Sequence, residues 1–305
     1  MGSERPTLLV TGATGQVGHA LVRAFGPLGT VVAPGRAELD LEDGVALRRY
    51  VLALRPVAVL NAAAYTAVDR AESDVDRCRR INTDAPAVLA RVAAEVDAVM
   101  VHYSTDYVFD GASQCAYVES DAAHPLNVYG ASKRDGELGV LAAGGTHLVL
   151  RTSWVYGARG SNFLIKMLRL AREREEIRVV DDQVGAPTWS RDIARATAEI
   201  VGPGLLADAE RDALREASGL YHLTAGGATS WYGFASAIVA AVPVVEGQAL
   251  ARVVPISSAE YPTAARRPGR SVLDCARVRA RFGVRMPEWR DGVERVVGEA
   301  TGRTP

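Results

Sequence analysis

The sequence predicts an α/β protein in which a doubly wound parallel sheet is followed by a smaller C-terminal lobe. Short apolar segments rich in Val, Leu and Ile alternate with amphipathic segments along the first half of the chain. A glycine-rich turn joins the first apolar segment to the first amphipathic one. Such alternation is typical of a parallel sheet with both faces covered by helices. The 305 residues, 48% of them hydrophobic, can bury one large core or two.

The predicted elements follow one another along the chain. The segments that predict strands are, in order, TLLVTG, TVVAPG, VAVLNAAA, AVMVHYSTD, HLVLRTSWVYG and IRVVDD. The second half is less regular, with a short strand predicted at LYHLTA and helices predicted from Trp231 to Ala241 and at the C-terminus. We predict a first domain over residues 1–158 that includes parts of 185–230, and a lobe over 159–305. Because open α/β sheets bind ligands at the carboxyl edge of their strands, the lobe is expected to cover that edge.

Composition argues against several classes of protein. The 35 basic and 36 acidic residues give a formal net charge of -1, so no nucleic-acid or membrane surface is expected. No apolar run approaches membrane-spanning length and the N-terminal segment lacks the apolar core of a signal peptide, so a cytoplasmic protein is expected. Cys78, Cys115 and Cys275 are scattered without metal-ligand spacing; they are interpreted as structural, and no metal is expected.

The glycine-rich turn predicts a dinucleotide site. Gly12, Gly15 and Gly18 lie between the first strand and a helix whose apolar face continues through Leu21 and Phe25. Glycines at this spacing allow a tight turn and close approach of the backbone to a pyrophosphate, which a helix N-terminus attracts. The turn therefore indicates a Rossmann sheet. The alternative is a tight turn that binds no ligand.

The end of the second strand bears on which dinucleotide binds. The segment APGRAELDLED has no acidic residue directly at the strand end, where NAD-binding proteins hold the ribose. Arg36 is placed to meet a 2′-phosphate, and Asp40 and Leu41 to flank the adenine. We predict NADPH as the cofactor, with NADH as an accepted alternative. A plain surface role for Arg36 is the competing interpretation.

A tyrosine and a lysine are spaced for acid-base chemistry. Lys133 is one of only two lysines among the 35 basic residues, and it follows Tyr129 by four positions. On a helix predicted from about Asn127, both side chains lie on one face. A free phenol has a pKa of about 10, and a neighbouring ammonium lowers it, so the pair is interpreted as a tuned general acid or base. The spacing also occurs by chance, so this interpretation depends on the glycine turn upstream.

The fourth predicted strand ends in polar residues. Ser104, Thr105 and Asp106 follow a buried apolar run, at the edge where a doubly wound sheet exposes side chains to ligands. A Thr105 hydroxyl there can hydrogen-bond a carbonyl oxygen beside the phenol of Tyr129. The alternative is a strand-ending turn that Asp106 caps.

Together these motifs resemble those of the extended short-chain dehydrogenase/reductases, and within them the subgroup of dTDP-4-dehydrorhamnose reductases. The resemblance covers nearly the whole chain. It is carried by TGATGQVG, LNAAAYTAVDRAE, HYSTDYVFDG, PLNVYGASKRDGE, RTSWVYG, Asn162-Phe163, DDQVGAPT, YHLTAGGATSWY and YPTAARRPGRSVLD.

The resemblance implies a role for each matching residue. The catalytic residues would be Thr105, Tyr129 and Lys133. Contacts to the cofactor would come from residues of the glycine turn, of the next two strand ends and of the fourth strand: Gly15, Gln16, Val17, Asp40, Leu41, Ala64, Tyr65, Thr66 and Tyr103. The sugar nucleotide would contact Thr105, Asp106 and Trp154, although Trp154 is also plausible as a core aromatic.

Arginines in ARRPGRS are candidates for the substrate's diphosphate. Arg267, with Arg266 and Arg270, can offer the paired donors that a diphosphate accepts. A solvated basic turn is the alternative interpretation.

The implied reaction reduces the C4 keto group of a dTDP-4-keto-6-deoxyhexose. Related dehydratases carry Thr-Asp-Glu, but this chain has Tyr107 after Asp106, which argues against elimination. Two alternatives stay open: reduction of a related dTDP-4-keto sugar, such as in dTDP-dihydrostreptose formation for an antibiotic, and a non-catalytic NADP-binding regulatory subunit.

Some members of the subgroup dimerise through magnesium bound by glutamates. The matching positions here are Ala20, Arg191 and Glu299, so a monomer or weak dimer is expected.

Overall fold

The computed structural model describes residues 5–243 and 249–302. Within these ranges the strands are β1 Thr7–Thr11, β2 Thr30–Val32, β3 Ala58–Asn61, β4 Val99–Thr105, β5 His147–Thr152, β6 Val155–Tyr156, β7 Glu176–Val180, β8 Val184–Gly185, β9 Thr188–Trp189, β10 Gly219–His222, β11 Thr229–Ser230 and β12 Arg252–Ile256. The α-helices are α1 Gln16–Phe25, α2 Gly44–Leu54, α3 Val68–Ala71, α4 Val75–Arg79, α5 Ala85–Glu95, α6 Val128–Leu141, α7 Phe163–Glu173, α8 Ser190–Leu206, α9 Asp208–Glu216, α10 Trp231–Ala241, α11 Ala276–Phe282 and α12 Trp289–Ala300.

The largest sheet is parallel and has the order β10-β5-β4-β3-β1-β2. The chain starts in β1, next to the edge of the sheet, moves outward to the edge strand β2, and returns on the other side of β1 through β3 and then β4 and β5. The strand order therefore reverses beside β1, and ligands bind at such a switch point in open α/β sheets. The predicted doubly wound α/β fold is confirmed.

Helices cover both faces of this sheet. On one face α1 packs against α8, and their apolar side chains join those of the strands in one core. On the other face α2, α5 and α6 pack side by side over a second core. Strand β4 is buried along all seven residues, because it lies at the centre of the sheet with helices on both sides.

Side-chain caps define the beginning of several helices. The Asn127 side chain accepts a hydrogen bond from the backbone N–H of Gly130 at 2.8 Å, so α6 begins next to the predicted position. Asp43, Asn162 and Ser230 cap α2, α7 and α10 in the same way. Such caps satisfy N–H groups that have no partner within the helix. The first turn of α6 is therefore held firmly, and with it Tyr129.

The smaller lobe is built from α7, α10, α12 and the β7–β12 pair around its own apolar core. The segment IRVVDD, predicted as a strand, forms β7 and pairs in parallel with β12 and not with a strand of the main sheet. The outer position beside β5 is taken by β10 from LYHLTA. The reason is packing: Ile177 and Val179 of β7 lie in the same core as Phe234 and Ile238. The boundary at residue 158 stays a prediction.

No helix within 5–243 or 249–302 is both long and apolar enough to cross a membrane. Nor do the residues of these ranges bring three or more His, Cys, Asp or Glu side chains together as a metal site.

Candidate active site

The glycine turn lies between β1 and α1, at the carboxyl edge of the sheet. Gly12 has φ +70°, and a Cβ there would lie 2.7 Å from the backbone of Ala63 on the next strand end. Gly15 precedes α1 without a side-chain cap, so the first N–H groups of that helix face outward toward the turn. The backbone thus forms a cradle into which an anion can approach closely. A pyrophosphate fits this cradle.

Gly18→Ala is expected to weaken NADPH binding by roughly tenfold to a hundredfold. A Cβ at Gly18 would lie 2.1 Å from the carbonyl oxygen of Gly12, so the turn would have to move. Overpacking of this kind costs about 1 to 3 kcal/mol. Each 1.4 kcal/mol lost from the binding free energy lowers the affinity about tenfold. Fluorescence titration with NADPH measures the loss. Gly44→Ala, whose Cβ would meet only Val88 at 3.4 Å, is the control and should bind normally.

A cleft of about 1750 Å³ opens above the glycine turn. It extends from the end of β2 to the beginning of α6, a length suited to a dinucleotide. The predicted cofactor residues that line it are Gly12, Gly15, Gln16, Val17, Arg36, Asp40, Leu41, Ala64, Thr66, Tyr103, Tyr129 and Lys133. Gly18 lies behind this surface. Tyr65 is directed elsewhere: its hydroxyl donates to Asp74 at 3.0 Å and its backbone N–H donates to Asn82 at 2.8 Å.

The adenosine end of the cleft carries a group of arginines around one carboxylate. Glu42 accepts from Arg36 at 2.7 Å, from Arg77 at 3.0 Å and from Arg80 at 3.1 Å. Arg36, which lines the cleft, is exposed. Asp40 also lies 3.9 Å from Arg36, so two carboxylates face the three guanidinium groups. Of the three arginines, Arg36 is the one that lines the cleft, where it can pair with a phosphate.

The reacting end of the cleft is lined by Tyr129 of α6, next to the carboxyl end of β4. The Thr105 hydroxyl lies beside the Tyr129 phenol and donates to Asp106 at 3.1 Å. Desolvation raises the pKa of Tyr129 to about 12; the nearby Thr105 hydroxyl opposes this rise, and the Asp106 charge adds to it. The expectation that Lys133 lowers this pKa is not met. A phenol that stays protonated at neutral pH is nonetheless the form required of a proton donor.

Lys133 lies on the same helix but its ammonium points into the sheet. Nζ donates to the backbone oxygen of Tyr103 at 2.6 Å and lies 3.1 Å from His102 Nε2. The side chain is 2% exposed. Burial lowers the pKa of Lys133 to about 8, while the Glu137 charge acts in the opposite direction. The lysine is therefore held tightly by groups on β4.

Asp106 lies behind Thr105 rather than at the surface of the cleft. It is 1% exposed, and both Thr105 and Ser271 direct their hydroxyls to its carboxyl group. Burial raises the pKa of Asp106 to about 7, although both hydrogen bonds oppose the rise. Ser271 belongs to the C-terminal segment, so this carboxyl group connects that segment to the reacting end of β4.

Trp154 forms part of an aromatic stack. Its ring lies parallel to Trp231 with centroids 3.6 Å apart, and a Cβ on Gly185 would lie 2.5 Å from the indole. Trp154 also has φ +45°, a conformation that side chains other than glycine adopt at an energetic cost. The indole is thus clamped between Gly185 and the smaller lobe.

Arg267 forms an ion pair within the protein. Its guanidinium donates to both carboxylate oxygens of Asp69, at 3.1 and 2.8 Å. The pair joins the C-terminal segment to α3. Arg270 differs, because its buried Nε has no hydrogen-bond partner among the described residues.

Several residues around this site were not identified from the sequence. They are Asn61, His102, Trp231 and Ser271. A histidine in the middle of an apolar strand is a signal that sequence inspection can detect, since it needs buried partners. Trp231 and Ser271 are far along the chain from the residues they contact and give no such signal.

The fold and the site together define a class of protein. A parallel sheet with a glycine turn at its carboxyl edge, and a Thr-Tyr-Lys set beside a dinucleotide-sized cleft, is the arrangement of an extended short-chain dehydrogenase/reductase. Comparison with known proteins is more specific. The profile of the RmlD substrate binding domain family matches residues 6–301, and the chain belongs to this family.

Individual relatives agree with this assignment. The dTDP-4-dehydrorhamnose reductase of Burkholderia thailandensis is 50% identical over 289 residues, which cover 94% of this chain and 96% of that protein. The crystal structure of a dTDP-4-dehydrorhamnose reductase from Clostridium acetobutylicum has a TM-score of 0.86 at 33% identity, covering 95% and 98% of the two chains. That of Bacillus anthracis, in complex with NADP, has a TM-score of 0.85 at 33% identity, covering 96% and 98%. The resemblance inferred from the sequence is confirmed.

Proposed function

We propose that this protein reduces the C4 keto group of dTDP-4-dehydro-L-rhamnose with NADPH, giving dTDP-L-rhamnose. The observation that carries the proposal is that Tyr129 and Lys133 line one end of a dinucleotide-sized cleft, with the Thr105 hydroxyl beside the phenol. The names of the relatives support the substrate and, with the NADP complex of the Bacillus anthracis protein, the cofactor.

The residues that hold NADPH follow from the shape of the cleft. The glycine turn and the N-terminus of α1 receive the pyrophosphate, because bare backbone and unpartnered N–H groups meet there. Arg36 would meet the 2′-phosphate, because it is the exposed guanidinium that lines this end of the cleft. Tyr129 and Lys133 line the opposite end, where the nicotinamide riboside lies. When bound, NADPH supplies the hydride that the carbonyl carbon accepts.

The side chains supply the proton and the alignment. Tyr129 donates its phenolic proton to the carbonyl oxygen as negative charge develops there. Thr105, whose hydroxyl donates to Asp106 in this structure, would turn that hydroxyl to the carbonyl oxygen of the bound substrate. Lys133 is held on β4 by Tyr103 and His102, and we propose that its ammonium positions the nicotinamide ribose. The protein thus contributes preorganised groups around the reacting carbonyl.

The substrate's nucleotide would lie against the smaller lobe. The indole of Trp154, clamped in a stack, presents a rigid apolar surface beside the reacting end. Arg270 is a better candidate than Arg267 for the diphosphate, because the Arg267 guanidinium is already paired with Asp69. We propose Arg267 as a residue that closes the C-terminal segment over the substrate through Asp69.

A product-identified assay tests the proposal. The purified protein is mixed with dTDP-4-dehydrorhamnose and either NADPH or NADH, the absorbance at 340 nm is followed, and the product is identified by NMR. We expect oxidation of NADPH and formation of dTDP-L-rhamnose. Turnover only with a different dTDP-4-keto sugar would favour the related antibiotic-pathway reductase. Cofactor binding without any turnover would favour the regulatory subunit.

Lys133→Arg is expected to lower turnover at least about a hundredfold, although it conserves the charge. The lysine side chain is enclosed by Tyr103 and His102, and a planar guanidinium does not fit between them. A misplacement of about 1 Å beside a reacting group can cost roughly a hundredfold in rate. Lys166→Arg, at the exposed position of the only other lysine, is the control. Full activity of Lys133→Arg would contradict the role proposed for the ammonium.

We also propose that the protein is cytoplasmic and a monomer or weak dimer. At the positions where some relatives bind magnesium, Arg191 and Glu299 form an ion pair with each other. An arginine beside the one remaining carboxylate repels a divalent cation and leaves too few oxygen ligands for it. Sedimentation velocity with and without magnesium measures the assembly state.

A further inference from the structure

A chain of buried polar side chains runs beneath the cleft from β1 to α6. Thr11 Oγ1 donates to Asn61 Oδ1 at 2.6 Å, Asn61 Nδ2 lies 3.0 Å from His102 Nδ1, and His102 Nε2 lies 3.1 Å from Lys133 Nζ. Thr11, Asn61 and His102 are at most 2% exposed. The chain begins on the strand that carries the glycine turn and ends at the catalytic lysine. It therefore joins the two ends of the cofactor site through the sheet.

His102 is neutral in this setting. Burial, and then the charge of Lys133, hold the pKa of His102 well below its ordinary value. A neutral imidazole has one donor and one acceptor nitrogen, whereas an ammonium can only donate. When Lys133 is charged it donates to Nε2, and the ring proton then lies on Nδ1.

The orientation of Asn61 follows from the position of that proton. With the ring proton on Nδ1, the Asn61 oxygen must face the ring. With the Asn61 nitrogen facing the ring, as it stands here, the ring proton lies on Nε2 and Lys133 is the neutral amine. The two amide orientations thus correspond to the two charge states of the lysine.

We propose that His102 is a positioning residue for Lys133: its Nε2 accepts from the ammonium and, through Asn61 and Thr11, aligns it with the glycine turn. The expected change in turnover on mutating His102 rests on the proposed function, whereas the expected change in the pKa of Lys133 does not. Tyr103 provides the second acceptor through its backbone oxygen, and no side-chain substitution removes that contact. Of the two acceptors around Lys133, His102 is therefore the one that a side-chain substitution can remove.

Two variants distinguish the contact of His102 Nε2 with Lys133 from that of Nδ1 with Asn61. The carboxamide of His102→Gln reaches the place of Nε2 and keeps an acceptor for Lys133, whereas that of His102→Asn reaches only the place of Nδ1 and Asn61. Both remove the same aromatic ring from the same buried place. His222, which is also fully buried and contacts Asp274 and Arg151 instead, provides the controls His222→Gln and His222→Asn.

The first readout is the ionisation of Lys133. Because the chain has only two lysines, protein labelled with ¹³C-lysine gives two sets of side-chain signals, and exposed Lys166 is an internal reference. The other titratable groups that act on Lys133 are Glu137 and Cys78, and they are unchanged in the variants. We expect His102→Asn to shift the Lys133 titration to lower pH, since the charged form loses an acceptor. In His102→Gln, Lys133 should titrate as it does in the parent protein.

The second readout is kinetic. We expect His102→Asn to lower kcat with dTDP-4-dehydrorhamnose by roughly tenfold to a hundredfold, as for a misplaced catalytic group, and His102→Gln to keep most of it. The His222 variants should keep both kcat and the lysine titration. Equal losses in the two His102 variants would show a packing role and overturn the proposal, as would an unchanged lysine titration in His102→Asn. If the parent protein does not turn over this sugar, the proposed function fails, and the titration alone decides the role of His102.

Discussion

Tyr129→Phe is expected to lower turnover by a factor of about a hundred to ten thousand, as for the loss of a general acid. The substitution removes one hydroxyl, which lies beside the Thr105 hydroxyl, and leaves the ring in its place beside Tyr107. The carbonyl oxygen then has no proton donor at the reacting end other than water. The measurement is kcat from NADPH oxidation with the keto sugar in excess.

The affinity for NADPH shows whether Tyr129→Phe removes only the proton donor or also disrupts the cofactor site. The glycine turn and the arginines at the adenosine end are untouched in Tyr129→Phe, so NADPH affinity should stay within about threefold of the parent value. Tyr117→Phe is the matched control, because Tyr117 is another buried tyrosine whose hydroxyl donates to Asp110 outside the cleft. Near-normal turnover in Tyr129→Phe would contradict the proposed mechanism.

Arg151→Met is expected to destabilise the folded protein by about 3 to 5 kcal/mol, the usual cost of leaving a buried charge without its partner. Arg151 on β5 donates through two nitrogens to the two carboxylate oxygens of Glu137 on α6, at 2.8 and 2.7 Å. Their side chains are 5% and 3% exposed. The lone Glu137 carboxylate would remain enclosed beside the helix that carries Tyr129 and Lys133. Urea unfolding followed by circular dichroism measures the change.

An exposed ion pair provides the comparison. Arg169 and Glu173 lie 3.9 Å apart on the surface of α7, so Arg169→Met should cost no more than about 0.5 kcal/mol. Adding Glu137→Leu to Arg151→Met should restore part of the lost stability, because an apolar pair carries no unpaired charge. If Arg151→Met lowered the free energy of unfolding no more than Arg169→Met does, the result would show that water reaches the Arg151–Glu137 pair.

Much of the site was predictable because its residues are close together along the chain. The glycine turn, the Tyr129-Lys133 spacing and the Ser104–Asp106 strand end each occupy a few consecutive positions, and parallel strands bring their carboxyl ends to one edge. The cap at Asn127 set the beginning of α6 and hence the face that carries Tyr129. The sequence therefore predicted the fold class, the family and most of the proposed cofactor contacts that line the cleft. The roles assigned to the individual residues stay predictions.

Contacts between distant segments were not predictable in this way. Asp69 lies 198 positions from Arg267, and Asp106 lies 165 from Ser271; local patterns say nothing about either pairing. Strand β7 followed the same kind of apolar pattern as the strands of the main sheet, yet its partner is β12. An apolar run specifies that a strand is buried but not which strand it pairs with.

By itself the sequence determined the alternation of elements, the glycine turn and the Tyr129-Lys133 face, because each depends on periodicity and backbone sterics within one short segment. Only the tertiary structure decided that Arg267 is paired with Asp69, that Trp154 stacks on Trp231, and that Lys133 points to His102. The physical reason is that a buried charge or polar group must find a partner, and packing of the whole chain decides which groups lie within reach.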